Sequence, residues 1–119
     1  MGAVIDYLSL VSIDERREFL RVMFLTDGHR LLADEIMNFG DTAEVAVYPR
    51  QIAVRALDLG ATSLILVHNH PSGDPTPSRG DIEVTRKIQH ACDGLGVRVL
   101  DHLVFAREGW TSLHQAGLI

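Results

Sequence analysis

Ser63-Leu64-Ile65-Leu66-Val67-His68-Asn69-His70 is the stretch on which the reading of this chain turns. From Ser63 to Val67 it carries no charge, and four consecutive aliphatic residues give no polar face. That is the pattern of a strand buried on both sides rather than on one. Immediately downstream, Asn69 to Pro77 contains three prolines and a glycine and reads as a loop. A helix is expected from about Arg79 to Asp93, a strand from Val97 to Phe105, and a last short strand from Trp110 to Leu113.

Upstream, Pro49 suits the first turn of a helix, where its missing N–H is not needed. Ile52, Ala53, Ala56, Leu57 and Leu59 give that helix an apolar face, and Gly60 is its expected C′ stop. Phe19 to Leu25 reads as a buried strand. Asp27-Gly28 reads as a two-residue type I′ hairpin turn, with a return strand from Arg30 to about Met37. Glu44 to Val47 is expected as a third short strand. Val4, Tyr7, Leu8 and Val11 recur at helical spacing, so a short helix is expected over residues 4–12. The order α, β-β-β, α, β, α, β, β specifies an α/β (α+β) fold with a mixed β-sheet flanked by helices. The pattern leaves the order of strands in the sheet open.

Composition narrows the function classes. The chain has 119 residues, 46% hydrophobic and 23% charged, ordinary for one soluble globular domain. The formal net charge is −5, and Arg16, Arg17 and Arg21 are interleaved with Asp14, Glu15 and Glu18. Phosphate contacts need a basic stripe, so direct nucleic-acid binding is not expected. Cys92 is the only cysteine, which excludes an intrachain disulfide. The N-terminus shows neither a basic n-region nor a long apolar run, so no signal peptide or membrane span is read and the cytoplasm is the expected location.

The chemistry concentrates around the opening stretch. In a strand, alternate side chains share a face, so His68 and His70 project together and can converge on one metal ion. Asp81 lies eleven residues beyond His70, in the first turn of the next helix. With two imidazoles it makes an N, N, O ligand set that leaves one tetrahedral position open for water, the mark of a catalytic zinc site. Ser78-Arg79-Gly80-Asp81 also reads as a capping box, which competes for the same carboxylate. Asp101-His102 on a late strand reads equally as an orienting pair behind the metal and as a satisfied core or interface pair. Cys92 reads as a small core residue, Trp110 as a packing anchor, and His29, His90 and His114 as surface residues.

His68-Asn69-His70-Pro71 followed by Ser78-x-x-Asp81 resembles the JAMM metalloprotease motif of JAB/MPN domains. The run from His68 to Asp81, with Tyr48-Pro49-Arg50 before it and Asp101-His102 after it, resembles the RadC-like branch of bacterial proteins, from about residue 17 to Leu118. Gln51 stands where RadC-like sequences often have glutamate, but it is not a JAMM position. The resemblance implies a JAB/MPN (cytidine-deaminase-like) fold over residues 1–119. Residues 1–16 would be an N-terminal helical segment, with no helix-hairpin-helix region, as expected of a short protein or an excised domain. It implies one zinc ion per chain on His68, His70 and Asp81. Glu18, just ahead of the first core strand, would bind the zinc water and act as general base and then acid, and Ser78 would steady the oxyanion. The implied function is a metallopeptidase or isopeptidase-like amide hydrolase with a protein or peptide substrate; a homodimer is compatible with it. Two other readings stand beside it: a non-catalytic structural or interaction module, and a DNA-repair-associated protein of the RadC type.

Overall fold

The computed structural model describes residues 2–10, 18–39 and 48–119. Helix α1 (Gly2–Leu10) precedes strands β1 (Phe19–Leu25) and β2 (Leu31–Phe39). Helix α2 (Pro49–Leu59), strand β3 (Ser63–Asn69), helix α3 (Arg79–Asp93) and strands β4 (Arg98–Ala106) and β5 (Gly109–Ser112) follow. The elements agree with the periodicity of the sequence, with ends within a residue or two where they are described; residues 11 and 12 of the expected first helix lie outside the described residues. The expected strand at Glu44–Val47 lies outside the described residues.

The five strands form one mixed sheet in the order β2-β1-β3-β4-β5. β3 sits at its centre, antiparallel to β1 and parallel to β4, and all seven of its residues are buried. This is why the strand shows no polar face. Even-numbered residues of β1 and β3 (Leu20, Val22, Phe24, Leu64, Leu66) face Ile52, Ala53 and Ala56 of α2 and Ile88 and Cys92 of α3. The odd-numbered Met23, Leu25, Ile65 and Val67 face the opposite way, where Leu8 of α1 covers them. α1 is tied to this face by the Tyr7 hydroxyl, which donates to Asp34 at 2.6 Å, while the Arg21 guanidinium forks onto the same carboxylate at 2.6 and 2.8 Å.

Two details differ from the sequence reading. The β1–β2 turn is a three-residue connection, not a two-residue type I′ turn. The His29 N–H donates to the Thr26 carbonyl, the Thr26 N–H donates to Arg30, and the left-handed residue is His29 (φ 57°) rather than Asp27 and Gly28. A turn followed by one left-handed residue is the next commonest hairpin solution, and histidine tolerates that region better than most side chains. The second detail is an irregularity in β4: Leu64 pairs with Val99, but Ile65 pairs with Asp101, leaving Leu100 as a surplus residue. Such a bulge reverses the alternation beyond it. Asp101 and Leu103 therefore align with the α1-facing Ile65 and Val67, whereas His102 aligns with Leu66, on the side of α2 and α3.

Candidate metal centre

The site is built where β1 begins and β3 ends. Leu20 pairs with His68 across the antiparallel ladder. The buried Asn69 side chain accepts the Phe19 N–H at 2.8 Å and so fastens the start of β1 to the end of β3. Glu18, one residue earlier, is thereby held against His68, with Oε1 2.7 Å from Nε2. Asn69, the middle residue of His-Asn-His, has no metal-binding role in the sequence reading; its contribution is this tie across 50 positions.

His70 leaves the strand into the proline-rich loop. Its N–H donates to the Phe105 carbonyl at 2.7 Å, and its own carbonyl accepts the Gly73 N–H at 3.1 Å. Gly73 takes a left-handed φ of 94°, and a Cβ placed there would stand 3.0 Å from the Arg107 guanidinium. The loop is thus folded tightly back on the β4–β5 turn, which is how residues eleven apart in sequence come to share one centre. The His68 and His70 rings meet edge to face with centroids 5.0 Å apart.

Asp81 reaches both rings from the first turn of α3. Oδ1 lies 2.8 Å from His68 Nδ1 and Oδ2 3.0 Å from His70 Nε2. The capping box is present as well: the Ser78 N–H donates to Oδ2 at 2.7 Å, and the Ser78 hydroxyl accepts the Asp81 N–H at 3.0 Å. Capping and site formation, which compete in the sequence reading, coexist because a carboxylate offers about four lone-pair positions. The cap fixes the direction in which the carboxylate points. Burial pushes the Asp81 carboxyl up, but hydrogen bonds from His68, His70 and the Ser78 N–H outweigh it and hold the group well below the usual carboxylate range. The bond to Asp81 raises the affinity of His70 for a proton, against its partial burial, with the Asp74 carbonyl adding to the effect.

Proton counting identifies what the site calls for. All four ring nitrogens stand against oxygen acceptors: His68 Nε2 on Glu18, His68 Nδ1 and His70 Nε2 on Asp81, and His70 Nδ1 on the Asp74 carbonyl at 3.0 Å. The His68 Nε2 contact with Glu18 is not a hydrogen bond, and for the other three contacts two neutral imidazoles supply at most two N–H groups, so at least one sets lone pair against lone pair. A further proton on the rings or one divalent cation would resolve the conflict. His68 Nε2 is buried and, despite the close carboxylate, is out of line for a hydrogen bond. The donor set therefore fits a metal ion. Among the described residues, ligand atoms of Glu18, His68 and His70 lie within 4.8 Å of one another. This cluster includes Glu18 where the sequence reading has Asp81, whose carboxylate is spread between the two rings.

Behind the cluster, His102 is fully buried, its ring centroid 5.9 Å from that of His68. Burial, reinforced by the neighbouring His68, pushes its pKa down to about 3. Asp101 takes no part in the centre: it accepts the His102 and His114 N–H groups and the Ser112 hydroxyl. Cys92 is a buried core residue, His90 and His114 are exposed, and Trp110 stacks on Phe105 at 6.5 Å. An apolar cavity of about 460 Å³ lies under α1, lined by residues including Val4, Tyr7, Met23 and Ile65, and shares no residue with the cluster. Among the described residues no helix is long and apolar enough to cross a membrane. Residues 1–118 match the family described as RadC-like JAB domain, and the chain belongs to that family.

Proposed function

We propose, with that membership as the premise, that the protein is a zinc-dependent amide hydrolase of the metallopeptidase type, acting on a peptide or protein. His68, His70 and Asp81 would hold the metal, Glu18 would be the general base and acid, and Ser78 would stabilise the oxyanion. The observation that carries the reading is the set of four imidazole nitrogens facing four oxygens with too few N–H groups to satisfy them, His68 Nε2 being buried without a hydrogen bond. Imidazole and carboxylate donors favour zinc among common divalent ions.

A zinc ion supplies Lewis acidity and lowers the pKa of a bound water to about 7. The remaining work falls to the protein. The Glu18 carboxylate, with a fifth of its side chain exposed, is open to solvent and can accept a proton and return it to a leaving amine. Ser78 is exposed, and accepting the Asp81 N–H leaves its own hydroxyl proton available to a developing negative charge. With a metal bound, the Asp74 carbonyl would hold His70 as the Nδ1–H tautomer and leave its Nε2 lone pair to the ion.

Elemental analysis of wild type, His68→Ala and Glu18→Gln, beside hydrolysis of a fluorogenic peptide mixture, tests the proposal. The expected result is one zinc per chain, lost in His68→Ala and kept in Glu18→Gln. Glu18→Gln should lose ~10²–10⁴-fold in rate. Loss of zinc from Glu18→Gln would move Glu18 into the ligand set, in line with the clustering of its oxygen with the two rings. No metal in the wild type after zinc is added would overturn the reading.

A further inference from the structure

A threonine hydroxyl has one proton to give. That of Thr85, buried one turn beyond Asp81, goes to the Asp81 backbone carbonyl at 2.6 Å. The same oxygen lies 2.5 Å from His102 Nδ1. With the hydroxyl proton placed on the Asp81 carbonyl, the ring nitrogen is the donor, which assigns His102 the Nδ1–H tautomer. Its Nε2 then carries a lone pair, fully buried and without a hydrogen-bond partner among the described residues. An apolar side chain would fill this position without stranding a polar atom, so packing alone does not account for an imidazole. Two short buried bonds connect the sheet, through one hydroxyl, to the residue that carries the Asp81 carboxylate, and the imidazole stands beside His68.

We propose that His102 and Thr85 are positioning residues of the metal centre: the chain from His102 Nδ1–H through the Thr85 hydroxyl to the Asp81 carbonyl sets the first turn of α3 and with it the carboxylate. The proposal rests on the metal-centre reading above. It assigns His102 no contact with substrate.

The test compares wild type with His102→Asn, His102→Leu, Thr85→Ser and Thr85→Val. Zinc stoichiometry is measured by elemental analysis, zinc affinity by competition with a chromophoric chelator, and thermal unfolding on the metal-free proteins. Asparagine can place an amide N–H near the position of Nδ1–H, and serine keeps the hydroxyl. His102→Asn and Thr85→Ser should therefore bind zinc nearly as wild type does. His102→Leu and Thr85→Val should remain folded and lose ~10–100-fold in affinity, as expected for partners behind a ligand. The Leu/Val double variant should lose no more than either single, because both break one chain. If His102→Leu does not fold, the Thr85 pair decides the question alone. Wild-type zinc affinity in folded Thr85→Val would overturn the proposal, as would equal losses in Thr85→Ser and Thr85→Val. Absence of zinc from the wild type would instead overturn the metal-centre reading beneath it, and stoichiometry separates the two failures.

Discussion

Asp81 and Asp101 are both buried, at 4% and 1% exposure, and each stands close to histidine in sequence or space. Their partners separate them. Asp101 faces donors only: two backbone N–H groups and the Ser112 hydroxyl, at 2.5 to 3.1 Å. Every lone pair it uses meets a proton, and nothing further is called for. Asp81 faces one backbone N–H and two imidazoles that already have other acceptors. Burial and charge are similar in the two places; proton supply is not. A carboxylate surrounded by donors is a staple, whereas a carboxylate that shares too few protons with histidines is a candidate for a cation site.

The largest expected effect that sharpens this contrast comes from exchanging each aspartate for alanine. Asp101→Ala strands two buried donors and one part-buried donor and should cost ~2–5 kcal/mol in urea unfolding, with zinc binding retained in the fraction that folds. Asp81→Ala should lose zinc, and the metal-free protein should lose the helix cap, ~0.5–2 kcal/mol, together with the hydrogen bonds from the two rings. Equal loss of zinc in folded Asp101→Ala would break the comparison.

A smaller effect tests the loop that brings His70 to Asp81. Gly73→Ala places a side chain at φ 94° and should cost ~1–3 kcal/mol. Arg107 can swing away, so the double variant Gly73→Ala/Arg107→Ala should recover little of that loss. Full recovery would show that crowding, not backbone strain, fixes the residue.

The smallest effect calibrates an ordinary carboxylate. Glu35 accepts a forked pair from Arg55 at 2.8 and 2.9 Å, with about a third of its side chain exposed. Arg55 holds the Glu35 carboxyl below its usual range. The stabilisation is therefore complete above about pH 4.5 and is lost as pH falls through the lowered value. Glu35→Gln should differ from wild type only above that point, by a margin at the edge of what a denaturation curve resolves, and less in high salt. An equal difference at pH 2 would show that the pair acts through packing.

What the sequence makes legible follows the range of each interaction. The Leu64–Val67 run, Pro49, Gly60 and the Ser78–Asp81 box are local signals, and the elements they specify are all present. His68, His70, Asp81, Glu18 and Ser78 are likewise visible as a motif, and the fold brings them together. Asn69 and Thr85 are not, because their partners lie 50 and 17 positions away and neither residue type advertises them. The hairpin turn is misread because Asp-Gly dictates the type I′ form only when the loop has two residues, and loop length is set by strand register. Asp101-His102 is ambiguous for a different reason: nothing in Val97–Phe105 marks where alternation breaks.

That break is one residue wide. Odd and even numbers carry opposite meanings in a strand, and Leu100 is the integer that exchanges them in β4. Before it, odd positions such as Val99 look toward α2 and α3; after it, odd positions such as Asp101 and Leu103 look toward α1. A chain shortened by Leu100 alone would keep the assignments of Asp101 and His102. A chain shortened anywhere from Asp101 to Ala106 would carry the wrong parity into whatever follows the cut. In this strand, tolerance to a lost codon is a matter of arithmetic, concentrated at position 100, and the staple and the imidazole behind the candidate metal centre sit one and two steps past it.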